Sequence, residues 1–175
     1  VDQQRNILDA AIAPAQLPAA VAAAAVELGR NVINALGGAG VFAVEMFLLE
    51  NNELLVNEIS PRVHNSGHHT LESCDVSQFQ QHMRAVAGLP LGAVTQHSPA
   101  VMQNLLYQDS LAPLLGLAPG VILVENAAVR VHWYGKHEGR PGRKMGHITC
   151  LDSDPVAARE AIKEALAGLA SPKGE

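Results

Sequence analysis

The sequence predicts an α+β fold with mainly antiparallel strand pairing. Three observations carry that reading. Apolar residues recur at helical spacing over 17–36 and again over 158–169. Two strand-like runs, 40–49 and 53–59, are joined by Asn51-Asn52, a pair that tolerates left-handed backbone angles and suits a tight hairpin turn. Three further strand-like runs follow, at 101–107, 127–134 and 144–151. The chain has 175 residues, 48% of them apolar, enough for one domain with a proper core or two small ones.

In chain order, Asn6–Ala13 reads as a strand ending at Pro14. The first helix places Leu17, Val21, Ala24, Ala25, Leu28, Val32, Ala35 and Leu36 on one face, and Gly37-Gly38 stops it. Its alanine run, 22–25, signals helix propensity rather than low complexity. After the hairpin, Ser60–Thr70 is a polar loop. Ser77 and Gln80 have the spacing of a capping box, and Phe79, Met83, Val86 and Ala87 form the apolar face of the helix it opens. That helix ends at Gly88 and Pro90, and 91–99 reads as a linker. A short turn or helix falls at 111–117. Asp154-Pro155 reads as an N-cap with proline in the first turn, followed by a helix with Ala158, Ile162, Ala165, Leu166 and Leu169 inward. The soft boundary divides the chain into 1–95 and 96–175.

Composition narrows the function. Charged residues make up only 17% and the net charge is −5, which argues against disorder and against nucleic-acid binding. The longest apolar runs, 17–26 and 111–124, read as too short to span a bilayer, so no membrane partner is expected. Cys74 and Cys150 form neither a metal pattern nor a disulfide framework, which points to a reducing, cytoplasmic compartment. The first residues are polar rather than signal-like and lack an initiator Met, so the chain reads as a piece of something larger.

A two-residue turn at Asn51-Asn52 places Glu50 opposite Glu53, Phe47 opposite Val56 and Glu45 opposite Glu58. Opposed Cβ atoms lie about 4.5–5.5 Å apart, so two carboxylates there repel unless a cation lies between them or one is protonated. A hard divalent ion such as Mg²⁺, completing its shell with phosphates and water, resolves this most simply. The alternatives are a slipped register with one Glu in solvent, and a glycosidase-type acid pair, for which the usual aromatic floor is missing.

Directly after Glu58 comes Ile59-Ser60-Pro61-Arg62-Val63-His64-Asn65-Ser66-Gly67-His68-His69. Arg62 can grip a phosphate or carboxylate, His64, Asn65 and Ser66 can read a polar small molecule, and Gly67 permits close approach. A solvated connector and a zinc site from His64, His68 and His69 are the competing readings. A second cluster, Lys136 to Lys144, sets four cations within nine residues around Gly and Pro. It reads as an anion site suited to a phosphate monoester, against the alternative of a solvated turn.

Together these stretches resemble one family. They are Val44-Glu45-Met46-Phe47, Asn57 to His68, Gln78-Phe79 with His82 and Arg84, Gly88 to Gly92, His132-Trp133-Tyr134-Gly135-Lys136 and Gly139 to His147. The set is similar to the C-terminal part of 5-(carboxyamino)imidazole ribonucleotide synthases, ligases of the ATP-grasp class. The resemblance implies the second half of an ATP-grasp domain, an antiparallel sheet with flanking helices, over 1–95. A small C-terminal α+β domain over 96–175 completes the substrate site. It implies an ATP- and Mg²⁺-dependent carboxylation of 5-aminoimidazole ribonucleotide with bicarbonate, through carboxyphosphate, in purine biosynthesis. Glu45 and Glu58 then hold the metal, Asn57 and Glu58 meet ATP, and Arg62 and His64 are catalytic. Asn65, Ser66 and Gly67 take the base end of the ribonucleotide, and Lys136 and Arg143 its 5′-phosphate. The family pattern further implies a homodimer at full length and an N-terminal part absent here, without which the fragment is inactive. A sister ATP-grasp enzyme, the formate-dependent glycinamide ribonucleotide transformylase, shares a similar Glu-x-Ser-Pro-Arg-x-His core. It departs where this chain has Asn65-Ser66-Gly67-His68 and lacks the Arg140 to His147 form. A non-catalytic nucleotide- or phosphate-binding module is the third reading.

Overall fold

A computed structural model describes residues 2–4 and 7–170. The chain folds as two compact units, one of Val1–Pro14 with His97–Glu175 and one of Ala15–Gln96. The strands before Pro14 group with the second half of the chain, because β2 (Ile7–Ala13) forms a ladder with β5 (Ala100–Leu106), from Ala10 opposite Gln103 to Ala13 opposite Ala100. Asn6, the expected start of that strand, lies outside the described residues.

The first-named unit is a six-stranded antiparallel sheet. Its members are β1 (Asp2–Gln4), β2, β5, β6 (Gly120–Leu123), β7 (Val129–Trp133) and β8 (Lys144–Leu151), in the order β1-β2-β5-β8-β7-β6. Alternation along the strands gives the sheet two different faces. Val101 and Leu105 of β5, Val129 and Val131 of β7 and Ile148 and Cys150 of β8 are buried in one core with Ala158 and Ile162 of α4 (Pro155–Ala170). Ala165, Leu166 and Leu169 pack on the same core, so the inward face read from the sequence is the one used. Asp154 caps α4, its Oδ1 accepting the Val156 N–H at 2.9 Å. A 3₁₀ turn at Asp109–Leu114 adds Leu111 and Leu114 to the core. The other face carries Asn104, His132, His147 and Thr149, an unusually polar set for a buried surface; Asn104, His147 and Thr149 are at most 3% exposed. Strands β1 and β6 were not anticipated. The β6 segment is four residues with Gly at its head and proline just before, composition that favours a turn.

The other unit contains α1 (Ala19–Leu36), the hairpin β3 (Ala43–Leu48) and β4 (Leu54–Ser60), the short helix α2 (Thr70–Ser73) and α3 (Gln78–Val86). α1 has 18 residues and a mean hydropathy of 1.2, long and apolar enough by length and composition to cross a membrane, which corrects the reading of this run as too short. Glu27 and Arg30 sit in its middle, and each charge would cost about 2.5–3.5 kcal/mol at a bilayer centre. Its Gly29 backs onto the end of Met46 from β3. Ser77 and Gln80 form the expected reciprocal capping box at the start of α3. The linker is held to this unit: the Gln81 amide exchanges two hydrogen bonds with the Gly92 backbone, and Cys74 bridges to Gln96.

Candidate functional site

The hairpin sets two carboxylates face to face by an unexpected route. Leu49 and Glu53, rather than Glu50 and Glu53, close the turn, which is three residues long, Glu50-Asn51-Asn52. Asn52 takes the left-handed conformation, with φ 63°, and the Asn51 side chain bonds the Glu53 N–H at 3.0 Å. Pairing is therefore shifted by one near the turn, and Phe47 lies opposite Leu55 rather than Val56. A bulge between Glu45 and Met46, where the partner strand has the extra residue Asn57, restores the register. Glu45 consequently does lie opposite Glu58.

The polar loop bends back over this pair. His64 Nε2 lies 3.0 Å from Glu45 Oε1, with the imidazole 15% and the carboxylate 32% exposed. Nδ1 of the same ring receives the Ser66 backbone N–H at 3.3 Å and lies 2.8 Å from Ser66 Oγ. A ring nitrogen that accepts a backbone N–H carries no proton, so in the neutral ring Nε2–H donates to Glu45. Glu45, Glu58 and His64 offer ligand atoms within 4.8 Å of one another, and theirs is the candidate metal cluster among the described residues. Two carboxylates suit a hard cation such as Mg²⁺, and Glu58 is exposed enough to share it with a phosphate.

Asn65, Ser66 and Gly67 form a 3₁₀ turn capped by His64. The residue that shapes this turn is Gln78, which the sequence places at a helix start and in the family pattern without giving it a role in the site. Its amide accepts the His64 N–H at 2.9 Å and donates to the His64 carbonyl at 2.8 Å, and its Nε2 lies 2.9 Å from His68 Nδ1. Thr70 Oγ1 links the Gly67 carbonyl to the Gln78 N–H. The close approach anticipated at Gly67 is made by Gln78, whose Oε1 would sit 2.7 Å from a Cβ at position 67. A glutamine at the first position of a capped helix is the signal that could have exposed it, since capping leaves it no role there. His69 turns to Ser73, 2.8 Å away, and burial pulls its pKa below the usual histidine value, with nearby Glu72 partly opposing. Three histidines facing three different partners do not form the alternative zinc site. Arg62 is exposed, and its Nη1 donates to the Val63 carbonyl.

The second cluster lies in the six-stranded unit, on the loop joining β7 to β8. Lys136 Nζ donates to the Lys144 carbonyl, and Arg143 Nη1 donates to the Glu138 carbonyl at 2.9 Å. Desolvation first, then the charges of Arg143 and Arg140, lower the Lys136 pKa from its ordinary value. Lys144 is lowered too, by burial and by Lys136. Lys136 and Arg143 are thus close enough for their charges to act on one another, and each donates to a different backbone carbonyl. Glu138, whose Oε2 lies 3.9 Å from Arg143, is the nearby counter-charge.

Comparison with known proteins brings both clusters into one lineage. A model of the ATP-grasp domain matches residues 1–79, and a model of the phosphoribosylaminoimidazole carboxylase C-terminal domain matches 100–161. The N5-carboxyaminoimidazole ribonucleotide synthase of Bacillus subtilis is 46% identical over 146 residues, 83% of this chain and 37% of the relative. Among solved structures, that of the Thermotoga maritima synthetase superposes with a TM-score of 0.74 at 44% identity, covering 91% of this chain and 44% of that one. The Aspergillus clavatus synthase, solved with ADP and 5-aminoimidazole ribonucleotide, gives a TM-score of 0.80 at 35% identity over 97% of this chain and 46% of that one. The chain spans between 27% and 42% of the length of the curated relatives it matches. With both family models matched in order along one chain, this chain belongs with the C-terminal part of the ATP-grasp proteins whose members are named N5-carboxyaminoimidazole ribonucleotide synthase or phosphoribosylaminoimidazole carboxylase.

Proposed function

We propose that this chain is part of an ATP-dependent ligase that carboxylates the exocyclic amine of 5-aminoimidazole ribonucleotide, with bicarbonate as carboxyl donor and carboxyphosphate as intermediate, in purine biosynthesis. The observation that carries the reading is the Glu45–Glu58 pair with His64 bonded to Glu45. Glu45 and Glu58 would hold Mg²⁺, which when bound neutralises charge on the transferred phosphoryl group. Asn57 and Glu58 meet the nucleotide from the middle of β4. Arg62, whose guanidinium is exposed, stabilises the bicarbonate or carboxyphosphate anion by bidentate bonding.

His64 is held by Glu45, Ser66 and Gln78, the restraint that orientation of a reacting amine needs, and its Nδ1 and Nε2 are the atoms through which a proton could move. Asn65, Ser66 and Gly67 orient the aminoimidazole. Lys136 and Arg143 take the 5′-phosphate as a point charge and a fork. A cytoplasmic homodimer of the complete protein belongs to the same proposal. The free cysteines Cys74 and Cys150 support the reducing compartment, and the exposed apolar side chains of Met83, Val86, Leu89 and Leu91 support the dimer.

The test is ATP hydrolysis by the complete protein, with each candidate acceptor. Phosphate release that needs 5-aminoimidazole ribonucleotide and bicarbonate supports the ligase. Activity with glycinamide ribonucleotide and formate would assign the sister transformylase chemistry. Binding of Mg·ATP with no turnover under either condition would leave a binding module.

A further inference from the structure

The stem of the basic loop carries a constellation that the assignment of Lys136 and Arg143 does not use. Strands β7 and β8 set His132 opposite His147, and the two imidazoles stack with centroids 4.4 Å apart and planes 7° from parallel. The Tyr134 hydroxyl lies 2.9 Å from His147 Nδ1. One residue past Tyr134 the chain reverses at Gly135, where φ is +68° and a Cβ would meet Pro119 at 2.6 Å, so only glycine fits. The reversal returns Lys136 over the Tyr134 ring, with Nζ 5.7 Å from the centroid.

Lys136 needs such a restraint. Burial first, and then repulsion from Arg143 and Arg140, disfavours its ammonium and lowers its pKa, and Lys144 stands close by as well. On a flexible stem the group would otherwise swing into solvent. An aromatic face attracts a cation within about 6 Å of its centroid, and the Lys144 carbonyl accepts from the same Nζ. The ring in turn cannot tilt freely while its hydroxyl is tied to a stacked histidine pair.

We propose that Tyr134 is a positioning residue for the anion site: its ring holds Lys136 aimed at a phosphate monoester, and His147, stacked on His132, fixes the ring. The proposal rests on the assignment of Lys136 to the ribonucleotide phosphate. It adds residues that touch no substrate and act through Lys136.

The experiment titrates ribose 5-phosphate, with D-ribose as control, into the complete protein and its variants by calorimetry. Wild type should bind the phosphate ester and not the free sugar, and Lys136→Ala should weaken that binding at least tenfold. Tyr134→Leu should weaken it roughly 5- to 30-fold, the range of a partly desolvated cation–aromatic contact. Tyr134→Phe, which keeps the ring, should recover most of the loss. Singly to triply fluorinated phenylalanines at position 134 keep the ring's shape while draining its negative face, and affinity should fall stepwise along the series. That series decides the matter if Tyr134→Leu does not fold. Equal affinity across it, with Lys136→Ala still weakened, overturns the positioning role and leaves the phosphate assignment standing. No binding of ribose 5-phosphate, or wild-type binding by Lys136→Ala, overturns the phosphate assignment and this inference with it.

Discussion

Glu45 Oε1 and His64 Nε2 meet at 3.0 Å, joining the middle of β3 to the loop that leaves the end of β4. The contact gives the carboxylate a hydrogen bond it would otherwise take from water, and it fixes the imidazole against a strand rather than a mobile loop. Among the described residues no side chain holds the opposed Glu58 in this way, and it is exposed, so the two carboxylates are not equivalent: one is oriented by protein, the other is open to an incoming ion.

Glu58→Gln should therefore separate activity from stability. The substitution keeps the side chain's shape and removes a charge that faces another carboxylate, so melting should shift by no more than about 0.5 kcal/mol, with relief of repulsion favouring a rise. ATP-dependent phosphate release by the complete protein should fall by orders of magnitude. Retained turnover in the variant would remove Glu58 from the metal site.

His64→Asn and Gln78→Ala probe the loop from its two ends. His64→Asn should impair carboxylation more than it impairs Mg·ATP affinity, read as product formed per ATP bound. Gln78 is 8% exposed and makes hydrogen bonds to both backbone groups of His64. Its truncation leaves a buried donor and acceptor unpaired, at about 1–3 kcal/mol for each, and denaturant melts should show a loss on that order. Loss of carboxylation without loss of stability in Gln78→Ala would mean that the loop is held by other contacts.

How far the sequence reached is instructive at the hairpin. Glu45 and Glu58 were expected to oppose each other from a two-residue turn, and they do, but through a three-residue turn offset by a bulge. Two errors of one residue cancelled. Neither is visible in the sequence, because Asn51-Asn52 suits both turns and nothing about Asn57 announces a bulge. The helices were legible because caps and apolar spacing are local: Ser77 with Gln80, Asp154 before α4. Gln78 and the His132–His147 stack were not, because their partners are set by tertiary neighbours rather than by spacing. The strand pairing of β2 with β5, across almost ninety residues, was illegible for the same reason.

Arg143→Ala tests the phosphate assignment in the complete protein. Losing one charged hydrogen-bonding partner costs about 1.5–3 kcal/mol, so the KM for the ribonucleotide should rise roughly 10- to 100-fold. The KM for ATP should change little. A rise in the ATP constant instead would assign the basic loop to the nucleotide.

The alkaline limb of the stability curve should carry the signature of the same loop. Lys136 and Lys144 have pKa values below their unfolded value of 10.5, because burial and neighbouring cations disfavour the charged form. Between the folded and unfolded values the unfolded chain binds more protons, so these lysines make stability rise with pH as it approaches 10.5. Tyr134 acts in the opposite sense: burial pushes its pKa up to about 12 from 10.0, so above pH 10 the unfolded chain loses a proton that the folded chain keeps, and stability falls. At neutral pH the lysine charges are a net liability that an anion relieves. Lys136→Met should then raise the melting temperature of the free protein at pH 7 and flatten the rise toward pH 10, while inorganic phosphate, which should raise the wild-type melting temperature, should do less for the variant. Tyr134→Phe should remove part of the fall above pH 10 and leave the limb below it unchanged. A Lys136→Met variant that melts lower than wild type at pH 7 without anion would show that the ammonium is satisfied in the free protein, and that the loop is not poised for a negatively charged ligand.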